Sequence, residues 1–152
     1  MLTRKGLPGV SGNSLRQVKK LMLTAGALGA LAIAASALGA HGLKATFEAT
    51  PAKRPAYANA ADQHLLHAVA VLLLAVTSGL RTEAAFARQC LQAGWTMVTG
   101  LLLFSGSLYL WVFGGPKWLV HVTPVGGLML IAAWLLVIRA AMRLTARQEA
   151  GI

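Results

Sequence analysis

The chain has a single cysteine, Cys90, and only four acidic side chains, Glu48, Asp62, Glu83 and Glu149, in 152 residues. One thiol excludes an intrachain disulfide, a CxxC redox pair and a multi-cysteine metal site. Cys90 is read as a small packing residue. None of the acids falls within the apolar core of a span, so no intramembrane carboxylate is available to couple protons or organic cations, and a small multidrug antiporter is disfavoured. The apolar runs also lack the paired Gly/Pro interruptions of transporters with broken helices, and no phosphate-loop spacing is present. Charged residues make up 12% of the chain, about half the share usual in soluble domains.

What is present is hydrocarbon, at 57% of residues. A bilayer core needs about 20 helical residues to cross it, and four runs meet that length. The first covers about 21–40 and carries small residues at helical spacing, Gly26, Ala30 and Ala34 on one stripe and Ala25, Gly29 and Ala37 on another, a pattern suited to close helix contact. Its basic start and its Ala35-Ser36-Ala37 triplet also fit a cleavable signal peptide, but its length favours a retained helix. The second covers about 60–80. Its uninterrupted apolar part, Ala68–Gly79, is too short to span, so His67 must lie inside the helix, with Asn59 and Asp62 marking the start. The third covers about 91–113, with Trp95, Tyr109 and Trp111 near its ends as interfacial aromatics. The fourth covers about 124–142 and opens on Thr123-Pro124, a cap followed by proline at the first helical position.

Fourteen basic residues against four acidic ones would suggest nucleic acid in a soluble protein. Here the Lys and Arg residues flank the spans, and no basic stripe with interleaved aromatics occurs, so nucleic acid is not an expected partner. The N-terminal arm, the 81–90 connection and the C-terminal end carry ten of them, and the 41–59 loop and 114–123 turn carry four. The positive-inside rule therefore predicts an N-in/C-in protein with both termini cytoplasmic, multi-pass in the cell inner membrane if the source is bacterial. Residues 1–18 read as a disordered basic arm, 19–143 as the transmembrane domain, 144–152 as a cytoplasmic tail, and 41–59 as an irregular solvated loop marked by Pro51, Lys53, Arg54 and Pro55.

Chemistry is sparse. His64 and His67 share a helix face, and the predicted topology puts them at the same end as His41 and His121, so ligation of a metal or haem is one reading. Hydrogen bonding between helices is the plainer one. Ser105 and Ser107 lie near Gly106, but no histidine or acid shares their depth to activate a nucleophile. No catalytic or cofactor-binding residue is assigned. Gly39, Gly42, Pro124, Gly126 and Gly127 read as tight helix ends where backbone approaches backbone.

The segments GAHGLK (39–44), HAVAVLLL from His67, LLFSGSLYLW (102–111) and VTPVGGLMLIAAWLL (122–136) together resemble the YgdD and transmembrane-protein-256 family of small membrane proteins, domain of unknown function 423. The resemblance covers about residues 21–142. It implies a four-helix membrane protein with no assigned reaction. It also implies that His41 and His67 match the family pattern, whereas the position of His64 varies between glutamine and histidine and His121 sits where the family usually has an apolar residue.

These readings converge on an all-α, integral membrane four-helix bundle. His41, His67, Ser105 and Ser107 are expected to form one polar cluster locking helices together, with His41 and His67 as the metal candidates. The leading functional expectation is a non-enzymatic accessory or scaffold protein in the lipid bilayer, packing with itself as a homo-oligomer or on a larger membrane complex. The alternatives are a small transport or permeation unit and a metal- or haem-binding protein.

Overall fold

The computed structural model describes residues 12–80 and 83–149, with side chains described for 14–80 and 83–143. Five α-helices follow in order: α1 (Gly12–His41), α2 (Lys44–Ala49), α3 (Lys53–Leu80), α4 (Ala84–Val112) and α5 (Thr123–Glu149), with a 3₁₀ turn over Lys117–His121 before α5. Four of the described helices, α1, α3, α4 and the 3₁₀ turn continued by α5, are long and apolar enough to cross a membrane.

The long helices run up and down and pack in chain order, α1 on α3, α3 on α4, α4 on α5. The start of α1 meets the end of α3 where Val18 faces Gly79, and the start of α3 meets the end of α4 where Lys53 Nζ donates to the Val112 carbonyl at 3.1 Å. Two ends result. One holds the start of α1, the end of α3, the start of α4 and the end of α5, and is called the basic end because it carries Arg16, Lys19, Lys20, Arg88, Arg139 and Arg143. The other holds α2, the 3₁₀ turn and a group of rings.

The helices outrun their sequence-predicted spans, for identifiable reasons. Residues 12–18 belong to α1 rather than to a disordered arm; Leu15 and Val18 continue the apolar pattern into the basic segment. Residues 1–11 lie outside the described part. Residues 41–59 are not an irregular loop: α2 occupies 44–49, and α3 begins at Lys53, seven residues before the predicted start. Proline at the third position of α3, Pro55, costs no hydrogen bond because first-turn N–H groups have no helical acceptor. Likewise α4 begins at Ala84 and not near Leu91, and α5 runs on through most of the predicted tail.

The core is built of small side chains. Leu21, Ala25 and Leu28 of α1, Ala68, Val71 and Ala75 of α3, Met97, Val98 and Leu101 of α4, and Leu130 and Ala133 of α5 form its main cluster. Alanines at these positions let helix axes approach, and the close van der Waals contact replaces the hydrophobic drive that lipid removes. Cys90 is buried beside Phe86 and Ala140, the packing role read from its isolation in the sequence. At the far end Leu43, Phe47, Tyr57 and Val112 form a second cluster, with the Tyr57 ring tilted against Phe47 at 5.8 Å and against Tyr109 at 5.2 Å.

Candidate functional site

The buried face of α3 repeats every three to four residues: Tyr57, Ala60, Ala61, His64, His67, Ala68, Val71, Ala75, Ser78. His64 and His67 are thus members of the helix's interior stripe, and the early start of α3 sets His67 near the middle of its 28 residues rather than at its mouth. Each polar group on the stripe meets a different neighbour.

His67 accepts at Nε2 a 3.4 Å bond from Trp134 Nε1 of α5, and its Nδ1 lies 2.9 Å from the Gln63 carbonyl one turn back. Both contacts are met by one tautomer, protonated at Nδ1. His64, 8% exposed, has Nδ1 3.4 Å from the Tyr109 hydroxyl, while its Nε2 is buried without a partner among the described residues.

Ser105 donates to the Ala60 carbonyl at 2.9 Å, tying α4 to α3. Ser107 donates to Phe104 O within α4 at 3.0 Å, and its oxygen is 2.9 Å from the Thr123 hydroxyl. Having one proton, Ser107 accepts from Thr123, which ties α4 to the start of α5. Tyr57 donates to the Ala35 carbonyl of α1 at 2.7 Å.

The four residues expected to form one cluster are therefore dispersed. His67, Ser105 and Ser107 each lock a different pair of contacts, and His41 stands exposed at the end of α1, away from them. The physical reason is helix register: His67 and Ser105 point inward from α3 and α4 at different heights, and α1 runs past both to meet Tyr57 at Ala35 and Gly39 before it ends at His41. His121 is also exposed. Among the described residues no three His, Cys, Asp or Glu side chains converge as metal ligands.

Sequence reasoning missed Tyr57, Tyr109 as partner of His64, Trp134 and Thr123. Pro55 beside Lys53 and Arg54 masks Tyr57 in the sequence, although Tyr57 lies seven residues, two helical turns, before His64 on the same stripe.

The glycine and proline positions divide. A Cβ on Gly126 would collide with Phe104 N and stand 2.8 Å from the Gly100 carbonyl oxygen; one on Gly39 would meet the Tyr57 ring at 2.6 Å. One on Gly42 would meet Leu38 of its own turn, and one on Gly127 only the Phe104 ring at ordinary distance. Gly126 and Gly39 are thus interhelical contacts and Gly127 is not. Pro124 is the second residue of α5.

On the outside of the bundle the two flanking helices differ. The exposed face of α5 is bulky, with Val125, Leu128, Ile131, Leu135, Ile138 and Met142. On α1 the exposed face sets Gly26, Ala30 and Ala34 among the bulkier Leu23, Leu31 and Ile33, and a Cβ on Gly26 or Gly29 would meet nothing within 4 Å.

The profile of a family described as "Protein of unknown function (DUF423)" matches residues 35–127. Similar proteins include the UPF0382 membrane protein SAB0533 of Staphylococcus aureus, 33% identical over 125 residues that cover 82% of this chain and 97% of that one. YwdK of Bacillus subtilis, also a UPF0382 membrane protein, is 32% identical over 126 residues, 82% and 98% of the two chains. A UPF0382 membrane protein of Haemophilus influenzae is 36% identical over 120 residues, 78% and 90%. No solved structure matches.

Proposed function

We propose a role in helix packing for this chain, which belongs to the DUF423 family of membrane proteins: it is a non-catalytic accessory or scaffold protein that presents α1 to a second helix. The observation that carries this is the open small-residue face of α1. Its inner face, Leu21, Ala25, Leu28 and Ala32, is buried in the bundle, while Gly26, Ala30 and Ala34, four residues apart, are exposed on the outside between the bulkier Leu23, Leu31 and Ile33. Lipid chains need no small residues, as the bulky outer face of α5 illustrates. A second helix gains from them, because they let two backbones approach until dispersion and Cα–H contacts build up.

The polar side chains support a structural role. The hydroxyls of Ser105 and Ser107 are committed to Ala60, Phe104 and Thr123, which leaves no activated nucleophile. The occupant of this α1 face is a second copy of the chain or a helix of a larger complex, in the cell inner membrane if the source is bacterial.

The test is disulfide cross-linking in native membranes with Ala30→Cys on a Cys90→Ala background. A cross-linked dimer identifies a second copy, and a heterologous adduct identifies a complex. Either should be lost when Gly26→Leu is added, with the thermal midpoint of the bundle unchanged. Absence of any adduct with a folded, inserted protein defeats the reading.

A further inference from the structure

We propose that the cavity between the start of α4 and the end of α5, at the basic end, binds a phosphate-class oxyanion, carried by an anionic phospholipid headgroup or present as free phosphate. The cavity is about 210 Å³ and is lined by Arg88, Gln89 and Gln92 from α4 and by Arg139 and Arg143 from α5. With a water occupying about 30 Å³ of the liquid, that space holds a tetrahedral anion with residual hydration.

The construction goes beyond what membrane topology asks for. Topology needs basic residues on one side; it does not need them to converge. Arg139 and Arg143 are one turn apart on the same face, a repulsive arrangement unless an anion bridges it, and Arg88 faces them from α4. The Lys44–Glu48 ion pair lies at the opposite end, and none of the side chains lining the cavity beside the three guanidinium groups is acidic. Gln89 is 6% exposed, and hydrogen bonding assigns its amide with the oxygen toward Arg143, where it accepts from Nη1 at 2.6 Å and Nε at 3.2 Å. That contact fixes the guanidinium plane while using only two of its five donors. A guanidinium held in plane presents a fork that matches two phosphate oxygens. Basic pockets between transmembrane helices at a membrane surface suit anionic headgroups on these grounds.

The experiment uses the full chain purified in a neutral detergent. Binding is read by the thermal unfolding midpoint and by bound phosphorus, with phosphatidylglycerol in mixed micelles, phosphatidylcholine in mixed micelles, and inorganic phosphate as probes. Three variants are compared: Arg88→Gln/Arg139→Gln, both exposed and so safe for folding; Gln89→Leu, which changes no charge; and Arg16→Gln/Lys20→Gln, which removes two charges at the same end but on α1. Phosphatidylglycerol is expected to bind over phosphatidylcholine, with affinity falling at least about tenfold in the first two variants and within about twofold of the parent in the third. Competition by inorganic phosphate identifies the phosphate group itself as sufficient; its failure to compete assigns the site to the lipid headgroup. The proposal is overturned if neither phosphatidylglycerol nor inorganic phosphate binds, or if the α1 variant loses as much as the others, which would reduce the effect to general surface charge.

Discussion

Gly126 of α5 crosses α4 at Gly100 so closely that a Cβ on Gly126 would stand 2.8 Å from the Gly100 carbonyl oxygen. The neighbouring atoms are backbone and cannot rotate away, so the helices must part if the residue grows. Gly126→Ala is expected to destabilise the bundle by about 2 kcal/mol, in the range for overpacking a close contact. Gly106→Ala is the control: a Cβ there meets nothing within 4 Å, and removing a helix-interior glycine should leave stability unchanged or raise it by about 0.5 kcal/mol. Denaturation in mixed detergent micelles measures both; equal effects would mean that α4 and α5 are not in backbone contact.

The second prediction concerns His64 and Tyr109. Their 3.4 Å contact is long, and His64 Nε2 is buried without a partner among the described residues. Removing both polar groups together should therefore be neutral or stabilising, because an unpaired buried group costs about 1–3 kcal/mol. His64→Leu/Tyr109→Phe is expected at or above the parent in stability. Tyr109→Phe alone is expected below it, since it strands Nδ1 as well. A double variant markedly less stable than either single would show that the pair contributes more than its geometry implies.

The third separates independent locks from a shared cluster. Ser105 bonds to α3 and Ser107 to α5. Ser105→Ala and Ser107→Ala should each cost about 0.6–1 kcal/mol, the usual size of an interhelical hydrogen bond in a membrane. Their effects should add to within about 0.5 kcal/mol, as for residues with no common partner. A larger coupling energy in the double-variant cycle would restore the single cluster that the sequence suggested.

The architecture was legible because hydropathy over about 20 residues is a strong signal when every backbone group must be satisfied inside its own segment. Four spanning helices and their small-residue seams follow from that alone. The helix ends were less legible. Pro55 and the charged Lys53–Arg54 pair look like loop, yet a first-turn proline is compatible with a helix, and Lys53 finds the Val112 carbonyl, an acceptor 59 residues away in the chain. The polar locks were the least legible. Spacing says that His67 and Ser105 face inward, but their partners, Trp134 and the Ala60 carbonyl, depend on how far each helix slides along the next. That height is set by backbone contacts such as Gly100 with Gly126, and no local pattern encodes it.

The last prediction is the orientation. The basic end gathers Arg16, Lys19, Lys20, Arg88, Arg139 and Arg143, and the other end has Lys44, Lys53, Arg54 and Lys117. Lys53 is held by the Val112 carbonyl and the Trp111 ring, and Lys44 is partly neutralised by Glu48 at 4.0 Å. The Lys and Arg count alone favours the basic end, and the positive-inside rule assigns that end to the cytoplasm. Single cysteines at Lys20 and Lys117, both exposed, on a Cys90→Ala background make this measurable with a membrane-impermeant maleimide. Position 117 should label in intact cells and position 20 only after the membrane is opened. The reverse pattern would invert the protein, and labelling of both in intact cells would mean that the chain inserts in two orientations, with the charge difference too small to select one.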